Sequence, residues 1–173
     1  MPRYAAFLRG VNVGGVNMKM AEVAKALEQA GFTGVRTILA SGNVLLDSRD
    51  GVASVRSKAE AALRDTFGYD AWVLAYDLLT VRAIIDSYPF EPEVADHHSY
   101  VTFVSDGAVL DELAAHGKDP GPGELIARGE GVIYWQVPRS KTLVSTMGKT
   151  MGKKRYKSST TTRNLRTLNK VVR

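Results

Sequence analysis

Val35-Arg36-Thr37-Ile38-Leu39-Ala40-Ser41-Gly42-Asn43-Val44-Leu45-Leu46-Asp47 holds two β-rich runs, 35–40 and 44–47, joined by Ser41-Gly42-Asn43, and reads as a hairpin. What flanks this hairpin decides the fold. Before it, the apolar strand Tyr4 to Leu8 and a glycine-rich stretch lead into a helix carrying Met20, Val23, Ala24 and Leu27, closed near Gly31. After it, Val52, Val55, Ala59, Ala62 and Leu63 mark a second amphipathic helix ending near Gly68, and 71–76 is another strand. Strand, helix, strand, strand, helix, strand is the order of the ferredoxin-like unit, an antiparallel sheet with two helices on one face.

The order then repeats. A helix over 78–87 leads to Tyr88-Pro89-Phe90-Glu91-Pro92, whose prolines mark a linker. A strand over 100–104 follows, then a helix from an Asp106 cap to Gly117, and a Pro/Gly loop over 118–123. Runs 124–127 and 132–137 form a second hairpin, Leu143 to Met151 suggest a helix, 158–162 a last strand, and Leu165 to Val172 a last short helix. The expected class is α+β, with two ferredoxin-like βαββαβ halves arising by internal duplication. The expected boundaries are 1–77, a helix and linker over 78–97, and 98–173 with a basic end.

The 173 residues are 45% hydrophobic and 24% charged, which is globular composition for one or two small domains. With no cysteine, disulfides, thiolate metal sites and cysteine nucleophiles are excluded, and a reducing cytoplasm is the expected location. No apolar run is long enough for a membrane span, and the first eight residues lack a signal-peptide pattern, so a soluble protein with no membrane partner is expected. The net charge of +5 is unevenly placed. Residues 139–173 hold 11 Lys/Arg and no acid, whereas residues 1–138 carry 12 Lys/Arg against all 18 Asp/Glu. Such a segment is stabilised by a polyanion, an acidic partner or the acidic body of its own chain.

Three motifs fail on their chemistry. Gly148-Lys149-Thr150 lacks the glycine that a phosphate loop needs five positions earlier, where Leu143 stands. Asp96-His97-His98 has no recognisable further metal-binding aspartates and reads as a turn, while His116 suits a helix C-terminus. No metal or cofactor is expected. Two other stretches fit anions. Arg9, Gly10, Asn12, Gly14 and Gly15 connect a strand to a helix, where glycines let backbone N–H groups converge. Thr161, Arg163 and Asn164 are expected at a second strand-to-helix junction, with Asn164 as the cap and Arg163 offering a planar fork of donors.

Leu8-Arg9-Gly10-Val11-Asn12-Val13-Gly14-Gly15, Met20, Ser41-Gly42-Asn43-Val44 and Thr161-Thr162-Arg163-Asn164 together resemble, in order and spacing, the bacterial family of domain of unknown function 1697. The resemblance spans essentially the whole chain and implies an α+β fold with two ferredoxin-like parts and no assigned activity. Members usually carry an aromatic residue where this chain has Leu165, and many have a proline where it has Lys19.

The function favoured by these residues is a binding module for nucleic acid, another polyanion or a phosphorylated ligand, with Lys153, Lys154, Arg155 and Lys157 as nucleic-acid contacts. One alternative is an enzyme acting on a phosphorylated small molecule or nucleic acid, with the strand-end residues Asp47 and Asp77 as unpartnered candidates. The other is a small-anion sensor or oligomeric scaffold without catalysis. The oligomeric state is left open, a homodimer among its alternatives.

Overall fold

The computed structural model describes residues 2–9, 18–39, 42–141, 145–151, 153–156 and 158–173. The first half runs β1 (Arg3–Arg9), α1 (Met20–Gln29), β2 (Thr33–Ile38), β3 (Asn43–Asp47), α2 (Val52–Phe67), β4 (Trp72–Asp77) and α3 (Leu78–Asp86). The second runs β5 (His97–Val104), α4 (Gly107–His116), β6 (Leu125–Arg128), β7 (Val132–Pro138), α5 (Thr146–Met151), β8 (Thr160–Asn164) and α6 (Leu165–Val171). Each half forms a four-stranded antiparallel sheet, ordered β2-β3-β1-β4 in one and β6-β7-β5-β8 in the other. The duplicated ferredoxin-like arrangement is therefore present, and each copy carries a further helix after its last strand.

The copies agree in register as well as order. Tyr4 and Phe7 of β1 oppose Asp77 and Leu74 of β4, and Tyr100 and Phe103 of β5 oppose Asn164 and Thr161 of β8. On the other side, Tyr4 opposes Leu46 and Tyr100 opposes Trp135. Gly42 and Gly131, both with positive φ (87° and 70°), offer their carbonyls to Leu8 N and Val104 N at 2.8 and 3.0 Å. The same glycine thus ends both hairpins, as a left-handed position requires.

Apolar alternation sets the layers. Tyr4, Ala6 and Leu8 pack with Val44 and Leu46 against Val23 and Leu27 of α1 and Val55, Ala59 and Leu63 of α2. In the second half Val104, Ile133, Trp135 and Val137 pack with Leu110 and Leu113 of α4 and Met147 of α5. By contacts, one compact unit comprises residues 1–82 with 170–173, and the other 83–169.

Strand boundaries differ from the sequence expectation by up to three residues, most at β5, which begins at His97 rather than Tyr100 and so takes in two residues of the expected Asp96-His97-His98 turn, paired with β7. β2 begins at Thr33 rather than Val35, because Gly34 (φ 58°) sits in an irregularity of the β2–β3 ladder that keeps Thr33 paired with Asp47. A Cβ at Gly34 would lie 2.2 Å from Asp47 Oδ2, so any larger residue must push that carboxylate aside as well as hold a left-handed backbone. β8 runs over Thr160–Asn164 rather than 158–162, since pairing with β5 continues past the threonines through Arg163 and Asn164. Arg163 is consequently the penultimate residue of the strand, one before the Asn164 that caps α6, and so still pairs across to β5.

Candidate functional site

Arg9 closes β1 directly opposite Trp72 and shares the sheet face of Phe7, away from the helices. Its guanidinium is partly buried, and loss of hydration lowers its pKa from the ordinary arginine value. Beside it on β4, Trp72 lies 4.7 Å beneath the Arg64 guanidinium, whose Nε also donates to Ala71 O at 3.1 Å. Gly10, Asn12, Gly14 and Gly15 lie outside the described residues.

Arg163 is buried, only 7% exposed, and folds back along its own strand. Its Nη1 donates to Thr161 Oγ1 at 2.6 Å and to Thr162 O at 2.9 Å. Asn164 ends the strand, and its Oδ1 accepts from Arg166 N at 2.8 Å, the capping contact expected of it. Asp77 does the same work in the first half, accepting from Thr80 N and Thr80 Oγ1, both at 2.9 Å. It is therefore a helix cap rather than an unpartnered acid. Asp47 is likewise engaged, bound to Arg3 Nη1 at 3.0 Å beside Gly34. Asn43 of the Ser-Gly-Asn segment is fully buried and donates from Nδ2 to Ile38 O at 2.8 Å, which ties the hairpin shut.

Of the four expected nucleic-acid contacts, Lys153 is exposed, while the side chain of Lys154 and all of Lys157 lie outside the described residues. Arg155 is exposed too, but it forms an ion pair with Glu112 of α4, and its Cζ stands 5.1 Å from the Tyr156 ring. Lys149 is exposed on the short helix α5, where Gly148 N donates to Ser145 Oγ at 3.0 Å. The Asp96-His97-His98 turn has Asp96 at φ 59° and then enters β5. Among the described residues no cluster of His, Asp and Glu side chains has the makings of a metal site.

Sequence reasoning missed a second arrangement, on the helix side of the β5–β7–β8 sheet. His98 and Tyr100 have ring centroids 5.6 Å apart, and Tyr100 lies 4.5 Å from Trp135 at an interplanar angle of 31°. The Trp135 indole N–H donates to Thr102 Oγ1 at 2.9 Å, and Thr102 Oγ1 meets Thr162 Oγ1 at 2.8 Å. Arg139 follows directly on β7, its N–H bound to Asp96 O at 2.8 Å, and Arg166 lies in the first turn of α6, 3.8 Å from Glu93. Desolvation, then the charges of Arg139 and Arg166, lower the His98 pKa from its ordinary value. The signal was available in Tyr4-Ala5-Ala6-Phe7-Leu8 set against Tyr100-Val101-Thr102-Phe103-Val104, which aligns the halves and exposes where they differ.

Fold and site together define a tandem α+β protein of two ferredoxin-like copies whose polar and cationic groups gather in the second. The chain belongs to the family described as a protein of unknown function, DUF1697, whose model matches residues 1–134. Among solved structures, it is similar to the conserved bacterial protein SP0830 from Streptococcus pneumoniae, with 24% identity, a TM-score of 0.80, and coverage of 99% of this chain and 97% of that one. That likeness is one of fold. An unknown protein from Galdieria sulphuraria aligns over 94% of this chain and 96% of its own at 12% identity, with a TM-score of 0.26. A search of curated proteins found no match. Among the described residues no helix is long and apolar enough to cross a membrane.

Proposed function

We propose that this protein is a binding module for an anionic ligand, either nucleic acid or a phosphorylated molecule, and that the second half carries the contact. The observation behind this reading is the state of the cations from 139 onward. Arg139, Lys141, Lys149 and Lys153 are exposed, and among the described residues none of them stands in an ion pair. Arg155 and Arg166, which do pair, are also exposed and can exchange a carboxylate for a phosphate. The enzyme reading has weaker support, since Asp47 holds Arg3 and Asp77 caps α3. The cysteine-free composition suits work in a reducing cytoplasm.

The test is fluorescence anisotropy with labelled single- and double-stranded oligonucleotides. The protein should bind both with little sequence preference, and the variant Lys141→Ala, Lys149→Ala, Lys153→Ala should bind at least tenfold more weakly. Absence of binding at low salt, or full binding by the triple variant, would reject the proposal.

A further inference from the structure

Matching the halves through their shared register isolates one surface that has changed its chemistry. In the first copy the helix-side positions next to Tyr4 are Ala6, Leu46 and Ala75, and they lie in the half that has the 16-residue helix α2. At the matching places in the second copy stand Thr102, Trp135 and Thr162, and the corresponding helix α5 has 6 residues. Tyr4 is itself buried and its hydroxyl donates to Asp50 O at 2.8 Å, whereas its counterpart Tyr100 is partly exposed. Thr102 and Trp135 are themselves buried, so their hydroxyl and indole lie under the helices as fixed polar groups of this core. What this end of the sheet offers outward is the partly exposed pair His98 and Tyr100, backed by those groups.

The rigidity of that surface is explicit. The chain Trp135 Nε1 to Thr102 Oγ1 to Thr162 Oγ1 fixes three adjacent strands, and Tyr100 lies over the buried Trp135. His98 extends the ring surface outward and is partly exposed. Cations flank it on two sides, with Arg139 where β7 ends beside His97 and Arg166 in the first turn of α6. Glu93 is the carboxylate facing Arg166, and at 3.8 Å, with both side chains largely exposed, it holds that arginine loosely.

We propose that this surface binds a planar ring carrying a phosphate, the chemistry of a nucleoside phosphate, with the ring stacked on His98 and Tyr100 and the phosphate held by Arg139 and Arg166. Stacking on an aromatic platform accepts any base, and a guanidinium pair supplies forked donors to the oxyanion. The inference rests on the anion-binding reading above and narrows it to a ligand class. A free nucleotide and a nucleotide within a single strand share this chemistry.

The experiment follows the ring resonances of His98 and Tyr100 by NMR in the full chain as AMP, adenosine, ribose 5-phosphate, inorganic phosphate or a single-stranded decanucleotide is added. AMP should shift both rings saturably and bind at least tenfold more tightly than ribose 5-phosphate or phosphate. The variant Arg139→Gln, Arg166→Gln should weaken AMP at least tenfold and leave adenosine unchanged, while His98→Ala should weaken both. A decanucleotide that moves the same rings at lower concentration than AMP supports the site and identifies a strand as its ligand. Rings that AMP leaves unmoved, or AMP affinity unchanged in the double arginine variant, would overturn it. If AMP fails while oligonucleotides still bind with dependence on Lys141, Lys149 and Lys153, the ring site falls and the polyanion reading stands; if neither binds, both fall.

Discussion

Two residues carry most of the chemistry that can be checked one at a time. His98 is surrounded by Arg139, Arg166 with its partner Glu93, the backbone turn of Asp96 and His97, and the Tyr100 ring. Burial and the two arginines disfavour the imidazolium, so His98 should titrate below the ordinary value of 6.5. The unfolded chain then takes up this proton first, and stability present above pH about 6.5 is lost as the pH falls below it. NMR titration should show the low value, and Arg139→Gln should raise it; a His98 value at or above 6.5 would contradict the assignment. Arg163 is the other residue. Bound to Thr161 Oγ1 and Thr162 O inside its strand, it should cost about 1 to 3 kcal/mol when replaced by alanine, because a buried strand loses charge-assisted hydrogen bonds. Urea unfolding with and without phosphate measures this, and an Arg163→Ala protein of unchanged stability would show that the contacts carry no weight.

At the scale of elements, the β2–β3 ladder depends on one close approach. Gly34 takes φ 58° where its missing Cβ makes room for Asp47 Oδ2, and Asp47 in turn holds Arg3. Gly34→Ala should destabilise the protein by about 1 to 3 kcal/mol, part of it from the left-handed backbone and part from displacing the carboxylate. In an Asp47→Ala background the second part should vanish, so the two changes should be clearly non-additive in a double-mutant cycle. Simple additivity would rule out the steric account.

The same elements show what sequence could and could not say. Both six-element orders were legible because strand alternation, helical spacing and glycine stops agree along Tyr4 to Tyr76 and again after Tyr100. The ends of β2 and β8 were not, because Gly34 and Arg163 are poor strand residues locally and are kept in their ladders by Asp47 and by Val101 across the sheet. The Asn164 cap was readable as a local motif. The ring surface around Tyr100 was not, because His98, Trp135, Arg139 and Arg166 are far apart in the chain and meet only through strand register.

For the molecule as a whole, charge is the coarse variable. The acid-free 139–173 segment carries +11 within a protein of net +5. If about four phosphates are neutralised on binding, log K should fall with log salt at a slope of about −3 to −4, and the triple lysine variant should flatten it. A slope near zero would mean that binding, if present, is not electrostatic.

The shared register of β1 and β5 has its own consequence. Tyr-x-x-Phe occupies the centre of both sheets, between neighbours spaced alike, so pairing geometry alone does not tell one central strand from the other. On the ribosome the first copy emerges first and can close around β1 before β5 has been made. A chain refolding from denaturant has both strands at once, and must sort them by side chain rather than by spacing. Thr102, which bonds to Trp135 and Thr162 where the first sheet has Ala6, Leu46 and Ala75, is what marks β5 as belonging to the second copy.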